Sequence, residues 1–98
     1  MKGYVLAEVE VTDPAAYERY RPLAAAAIAA LGGRYLVRGG AAERVEGERP
    51  PHRFVVLEFD SPERAREWYF SDQYQADKAL REQAARSHVF LLNGHDPG

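Results

Sequence analysis

The sequence YVLAEVEV, residues 4–11, decides the fold, because its side chains alternate in size and polarity with a period of two. Successive side chains of a strand point to opposite faces, so this segment predicts a strand with two different faces. One face is small and apolar and consists of Val5, Ala7, Val9 and Val11. The other is larger and more polar and consists of Tyr4, Leu6, Glu8 and Glu10. We expect the small face to lie beneath a helix and the other face to stay open.

An amphipathic helix is predicted directly after this strand. Asp13 is a favourable N-cap residue, and Pro14 suits the first helical position because no partner is needed there for its missing N–H. Apolar residues then recur at spacings of three and four: Tyr17, Tyr20, Ala24, Ala27, Ile28 and Leu31. Pro22 is expected to kink this helix, and Gly32 and Gly33 are expected to end it.

Three further strands are predicted at RYLVR (34–38), RFVVLEF (53–59) and SHVFLLN (87–93). With a second helix between the last two, the order becomes β-α-β-β-α-β. This order predicts an α+β protein of the ferredoxin-like kind, in which a four-stranded antiparallel sheet carries its helices on one face. We expect a single domain over residues 1–98, with 94–98 as a tail.

The second helix begins with Ser61 as its N-cap and Pro62 at its first position. Its apolar stripe consists of Ala65, Trp68 and Tyr69. The Ser71-Asp72 pair is expected to break the helix and restart it, so that it continues past Tyr74.

The composition narrows the classes of function. Of the 98 residues, 46% are hydrophobic and 29% are charged, as in an ordinary globular domain. The net charge of −2 argues against nucleic-acid binding, which needs a basic face. The absence of cysteine excludes disulfides and thiolate metal sites, and the histidines lack the spacing of a metal pair. No apolar segment reaches the length of a membrane span, so we expect a cytoplasmic protein without metal, cofactor or membrane partner.

The face that the helices leave open is expected to be buried too. The segments 53–59 and 87–93 are apolar on both faces, whereas an antiparallel strand with one side in water normally alternates. So short a chain has nothing left to cover that surface. A second copy packed sheet against sheet would cover it, so we predict a homodimer.

Charged residues are expected within the covered space. Glu8 and Glu58 lie on strands that are central neighbours in this topology, so we expect their carboxylates to be close. Arg38 ends the adjacent strand, and Gly39 and Gly40 are expected to let that strand bulge and turn the arginine inward. This arrangement makes Glu8 or Glu58 a candidate general base and Arg38 a candidate anchor for a carboxylate or an oxyanion.

Further candidates for ligand binding are aromatic or border the same strands. They are Tyr4, Gly39, Trp68, Tyr69, Tyr74 and His88, together with Arg38. A structural interpretation stays open for each of them, because aromatic residues at helical spacing commonly form a core or an interface. The charged residues equally fit an ion-pair network that only stabilises the dimer.

Three segments and one arginine carry a resemblance to a known family. They are VTDPAAYERY (11–20), GGRYLVRGG (32–40), EFDSPERAREWYFSDQY (58–74) and Arg81. Through them the chain resembles the domain-of-unknown-function 1330 family over nearly its whole length. The resemblance implies a ferredoxin-like fold that pairs as a dimeric α+β barrel, in a superfamily that includes cofactor-free monooxygenases and muconolactone isomerase-like proteins. It implies no particular reaction, and the loop 46–53 departs from relatives that often place an aromatic residue there.

Two hypotheses about function follow. In the first, a homodimer binds a small, partly apolar organic molecule in a sheet-lined cavity, and as an enzyme it would be a cofactor-independent isomerase, lyase or monooxygenase. In the second, the protein is a non-catalytic binding or structural module, and the charges of Glu8, Arg38 and Glu58 serve only the dimer.

Overall fold

Four strands and three helices follow one another in the computed structural model, which describes residues 1–97. They are β1 (Gly3–Val11), α1 (Pro14–Ala30), β2 (Arg34–Arg38), β3 (Arg53–Phe59), α2 (Pro62–Tyr69), α3 (Asp72–Ala84) and β4 (Ala85–Asn93). The strands form one antiparallel sheet in the order β2-β3-β1-β4. The predicted α+β, ferredoxin-like fold is therefore confirmed, with the second helix divided into α2 and α3.

Side-chain caps begin all three helices. The Asp13 carboxylate accepts a hydrogen bond from the backbone N–H of Ala16 (3.2 Å), and Ser61 Oγ caps α2 in the same way. Ser71 Oγ accepts from the N–H of Tyr74 (3.1 Å) and donates to the carbonyl of Trp68 (2.7 Å). Ser71 thus both closes α2 and opens α3, which fixes the break that the sequence predicted.

The core lies between the three helices and the small face of β1. Val5 and Val9 are almost fully buried there, as the alternation of β1 predicted. Other buried members are Tyr17, Tyr20, Ala24, Ala27 and Ile28 from α1, Leu57 and Phe59 from β3, and Ala65, Trp68 and Tyr74 from α2 and α3. Each large side chain buried in this way stabilises the fold by about 1.5–3 kcal/mol.

The opposite face of the sheet carries no helix. Cross-strand pairing places Leu6 of β1 between Val56 of β3 and Phe90 of β4. Phe90 is 54% exposed, and Leu92 on the same strand is also exposed. An apolar band therefore runs across the open face. No helix among residues 1–97 is both long and apolar enough to cross a membrane.

A bulge in β2 decides which side chains of that strand face the helices. Arg34 pairs with Glu58 and Tyr35 with Leu57, but Val37 then pairs with Val56, so one extra residue is inserted at Leu36. The insertion shifts the alternation by one residue. Arg38 consequently lies opposite Val55, on the helix side of the sheet. The prediction that Arg38 turns toward the open face is wrong, because the bulge lies before the arginine and not at Gly39-Gly40.

Candidate functional site

The structure divides the predicted site residues between the two sides of the sheet. The open face carries Tyr4, Glu8, Glu58 and His88. The helix side carries Arg38, Trp68 and Tyr74, and Tyr69 contacts Trp68 edge to face at 5.9 Å between ring centroids. What the sequence suggested as one constellation is therefore two, separated by the thickness of the sheet.

On the open face, Glu58 is held by two donors. The Tyr4 hydroxyl donates to Glu58 Oε2 (2.8 Å), and Arg34 Nε donates to Glu58 Oε1 (2.7 Å). The hydrogen bonds from Tyr4 and Arg34 lower the pKa of Glu58, so this carboxylate is ionised near neutral pH. Its cation is Arg34 and not Arg38, which corrects the predicted pairing.

Glu8 lies far from Glu58 on the same face. Tyr4 is directly opposite Glu58, and Glu8 is four residues further along β1, opposite Phe54 and His88. Four residues of strand span about 13 Å. The prediction that the two carboxylates are close is therefore wrong. Glu8 is only 8% exposed, and Arg49 of the loop after β2 covers it with an ion pair of 3.2 Å.

The largest concentration of unpaired polar groups lies in a cavity between α1, α3 and the helix side of the sheet. The cavity has a volume of about 50 Å³, and on this measure a water molecule needs roughly 10–15 Å³. Its polar lining consists of four arginines and four tyrosines: Arg21, Arg38, Arg53 and Arg81, and Tyr17, Tyr20, Tyr35 and Tyr74. Aliphatic residues of the sheet and α1, with Trp68, complete it. No carboxylate or histidine is among the described residues that line it.

The arginines of this cavity differ in how far their charge is compensated. Arg21 pairs with Glu18 (3.2 Å), whereas the other three form no ion pair with any residue in the described range 1–97. The guanidinium of Arg38 lies over the ring of Tyr35, 4.3 Å from its centroid, and Arg38 itself is exposed. A cation–π contact of this kind at an exposed site is worth about 0.5–1 kcal/mol.

Arg81 is the least compensated of them. It is 7% exposed, and one of its terminal nitrogens donates to the Tyr74 hydroxyl (2.8 Å). The Tyr74 hydroxyl in turn shares a hydrogen bond with that of Tyr20 (2.8 Å). Burial raises the pKa of both tyrosines, so the hydroxyls remain protonated and act as neutral donors or acceptors. Neither therefore compensates the charge of Arg81.

Several buried donors of the cavity have no partner. Arg53 Nε, Arg81 Nε and Trp68 Nε1 are buried without a hydrogen bond among the described residues, and so is Ser87 Oγ nearby. A buried donor left unsatisfied costs about 1–3 kcal/mol. Asp77 Oδ2 is likewise unpartnered, but Asp77 does not line the cavity, and burial raises its pKa. Three donors of the cavity, on Arg53, Trp68 and Arg81, are thus left without an acceptor among the described residues.

Gly39 provides space for one of these arginines. Its φ is +69°, and a Cβ atom there would overlap the guanidinium of Arg53. Gly39 also donates its backbone N–H to the carbonyl of Phe54 (2.8 Å). The glycine therefore lets Arg53 lie against the backbone, which is a positioning role.

The sequence contained signals for some residues that the prediction missed. In RFVVLEF, Arg53 has the same parity as the buried Leu57 and Phe59, which places it on the helix side. The sequence marks Arg81 only as a position of family resemblance, because a polar helix such as α3 gives no sign of which arginine turns inward. Among residues 1–97, no group of three or more acidic, histidine or cysteine side chains is placed to hold a metal ion.

The element order, the antiparallel sheet and the helices on one side define a ferredoxin-like α+β protein. The chain belongs to the family described as Domain of unknown function (DUF1330), which matches residues 2–95. No match was found among curated proteins.

Solved structures with the same fold share little sequence with this chain. The RPA0582 protein of unknown function from Rhodopseudomonas palustris superposes with a TM-score of 0.77 at 19% identity, over 98% of this chain and 84% of that one. SnoaB, a cofactor-independent oxygenase from Streptomyces nogalater, superposes with a TM-score of 0.66 at 14% identity, over 98% of this chain and 95% of that one. A dimeric ferredoxin-like protein of unknown function from Thermobifida fusca superposes with a TM-score of 0.63 at 14% identity, over 95% of this chain and 91% of that one. At these identities the likeness shows the fold alone.

Proposed function

We propose that this protein binds a small, partly apolar organic acid in the cavity between its helices and its sheet. The observation that carries the proposal is Arg81, a guanidinium that is 7% exposed and has no carboxylate partner within residues 1–97. Removing an ionised group from water without a counter-charge is costly, and an anionic ligand offsets that cost. The unpartnered donors of Arg53 and Trp68 favour a ligand rich in acceptor oxygens.

The apolar part of the ligand is supported by the rest of the lining. Val5, Ala7 and Val9 of β1 and Ile28 of α1 line the cavity together with Trp68. Binding sites for small organic molecules commonly combine such an apolar wall with a few convergent polar groups. The volume of the cavity suits a short aliphatic acid, and an aromatic acid requires some of the lining side chains to move aside.

The protein is proposed to act as a homodimer, with one cavity in each subunit. Two similar structures, from Thermobifida fusca and Jannaschia, are described as dimeric ferredoxin-like proteins. The apolar band around Phe90 on the open face is the surface that a second copy would cover. In this arrangement Glu8 and Glu58, each already paired with an arginine, belong to the dimer side of the sheet. This supports the structural interpretation of those two charges.

A catalytic role would be limited by the same geometry. Glu8 and Glu58 are separated from the cavity by the sheet, so neither supports proton abstraction from a ligand bound there. Arginines and protonated tyrosines instead stabilise an anion, such as the enolate or phenolate of a substrate that is itself acidic. A cofactor-independent oxygenation or isomerisation of such a substrate is therefore the form of catalysis that the cavity favours.

The test uses the intrinsic fluorescence of Trp68, the single tryptophan of the chain. Acetate, phenylacetate, benzoate and the uncharged isostere benzamide are titrated into the purified protein. We expect at least one carboxylate to bind below about 10 mM and benzamide to bind at least about tenfold more weakly. Measurable and equal affinities for benzoate and benzamide, or no binding by any of the three acids, would overturn the proposal.

A further inference from the structure

A second, polar pocket adjoins the cavity at the junction of α3 and β4. Its volume is about 310 Å³, and it opens to solvent. The lining consists of Arg81, Glu82, Ala85, Arg86 and Ser87. Arg81 lines both spaces, so its side chain stands between the apolar cavity and the polar pocket.

The sheet register shows how closely the two spaces adjoin. Val9 of β1 lies directly between Arg53 of β3 and Ser87 of β4. These three residues form one row across the helix side of the sheet. Arg53 and Val9 line the cavity and Ser87 lines the pocket, so the row passes beneath both.

The junction has two buried polar atoms without a partner. Arg81 Nε and Ser87 Oγ are buried and both lack a hydrogen bond among residues 1–97, and both residues contribute to the lining of the pocket. The acidic residue of the pocket, Glu82, lies 4.0 Å from Lys78 and forms no ion pair with Arg81 or Arg86. The positive charge of the pocket is therefore in excess.

Resting on the proposed function, we propose that Arg81 and Ser87 hold the carboxylate of the bound acid at this junction. The apolar body of the acid then lies inward, along Val9 and beneath Trp68. One carboxylate oxygen accepts from the guanidinium of Arg81 and the other from the Ser87 hydroxyl. A carboxylate has enough acceptor sites for both donors, and hydrogen bonds to an ionised partner are the stronger kind.

The opposite end of the cavity is the competing location. Arg38 and Arg53 lie there, on β2 and β3, but each of these guanidinium groups is placed over a tyrosine ring. Arg38 is also exposed, so water already solvates its charge. Arg81 is buried, and among residues 1–97 its guanidinium has no ion pair and no cation–π contact, only the neutral Tyr74 hydroxyl, so an anion relieves a larger cost there.

The decisive experiment measures carboxylate affinity in five variants of the full chain with Trp68 fluorescence. The probe is the acid from the wild-type series that binds most tightly. We expect Ser87→Ala to weaken binding about threefold to tenfold and Arg81→Met to weaken it about tenfold or more. Arg81→Lys keeps the charge but loses the Nε donor and the planar guanidinium. Its affinity is therefore expected to lie between that of Arg81→Met and that of the wild type. Arg19→Met, at an exposed position of α1 that lines neither space, is the charge-matched control and is expected to bind as the wild type does.

The outcomes separate this proposal from the proposed function. Wild-type binding that is insensitive to Ser87→Ala and Arg81→Lys, but lost in Arg38→Met, would place the carboxylate at the opposite end and overturn the proposal. Wild-type binding that is insensitive to all of these variants would overturn it as well. Failure of the wild type to bind any acid would overturn the proposed function itself. Because Ser87 is a small residue at the pocket wall, its variant keeps the test valid even if Arg81→Met does not fold.

Discussion

At the scale of the single residue, Gly39 explains why a glycine follows the arginine that ends β2. The sequence suggested that the glycine turns Arg38 inward. The structure instead shows that Gly39 has a φ of +69° and lies against the guanidinium of Arg53. Position 39 therefore has no side chain because the guanidinium of Arg53, fourteen positions later in the sequence, occupies that space. Only the pairing of β2 with β3 brings the two together, so the sequence alone could not have shown it.

Replacing Gly39 by alanine is expected to destabilise the protein by about 1–3 kcal/mol, because a non-glycine residue is strained at this φ and its Cβ displaces Arg53. Urea denaturation followed by circular dichroism measures the change. Gly40→Ala is the matched control, since a Cβ at Gly40 meets nothing within 4 Å and its φ is not positive. Equal losses in the two variants would contradict this account of Gly39.

At the scale of the element, strand alternation was reliable wherever the strand is regular. It placed Val5 and Val9 beneath the helices and Glu8 on the open face, and the caps at Asp13, Ser61 and Ser71 marked the start of every helix. It failed in β2, where the register shift between Tyr35 and Val37 moves Arg38 to the other face. RYLVR contains no proline or glycine that would reveal a bulge. The irregularity depends on pairing with β3 and is not encoded within the five residues themselves.

The cluster of Tyr4, Glu58 and Arg34 joins β1, β3 and β2 on the open face. Because the folded protein lowers the pKa of Glu58 below its usual 4.5, the ionised carboxylate contributes stability above that pH, and the contribution is lost as the pH falls through the lowered pKa. Glu58→Gln is therefore expected to melt at a lower temperature than the wild type at pH 7. The difference is expected to shrink and then disappear as the pH falls through the lowered pKa, below 4.5, where the wild-type carboxyl becomes protonated.

Thermal melts of the wild type and Glu58→Gln across this pH range measure the effect. Glu43→Gln, in the exposed loop after β2, removes a carboxylate without such partners and is the control. A melting difference for Glu58→Gln that stays constant down to pH 2 would show that the cluster acts through packing and not through the charge of Glu58.

At the scale of the whole molecule, the sheet separates two surfaces, for which we propose two different tasks. The helix side carries a cavity with uncompensated arginines, and the open face carries paired charges and the apolar band. The sequence predicted both an anion-binding arginine and a dimer face, but it assigned them to the same side. Separation has a physical advantage: a surface built for dimer contacts can be well packed and fully paired, while the cavity keeps the unpaired donors that a ligand needs.

This separation predicts that the dimer can be broken without loss of ligand binding. Phe90→Lys places a charge in the middle of the apolar band, where a second copy would have to bury it. We expect native mass spectrometry to show a dimer for the wild type and a monomer for Phe90→Lys, with carboxylate affinity retained within about threefold. Val45→Lys, at an apolar residue of the loop after β2 that is 86% exposed, is the control and is expected to remain dimeric. A wild type that is monomeric at all concentrations would refute the dimer. A monomeric Phe90→Lys variant that no longer binds acids would show that the cavity depends on the partner subunit.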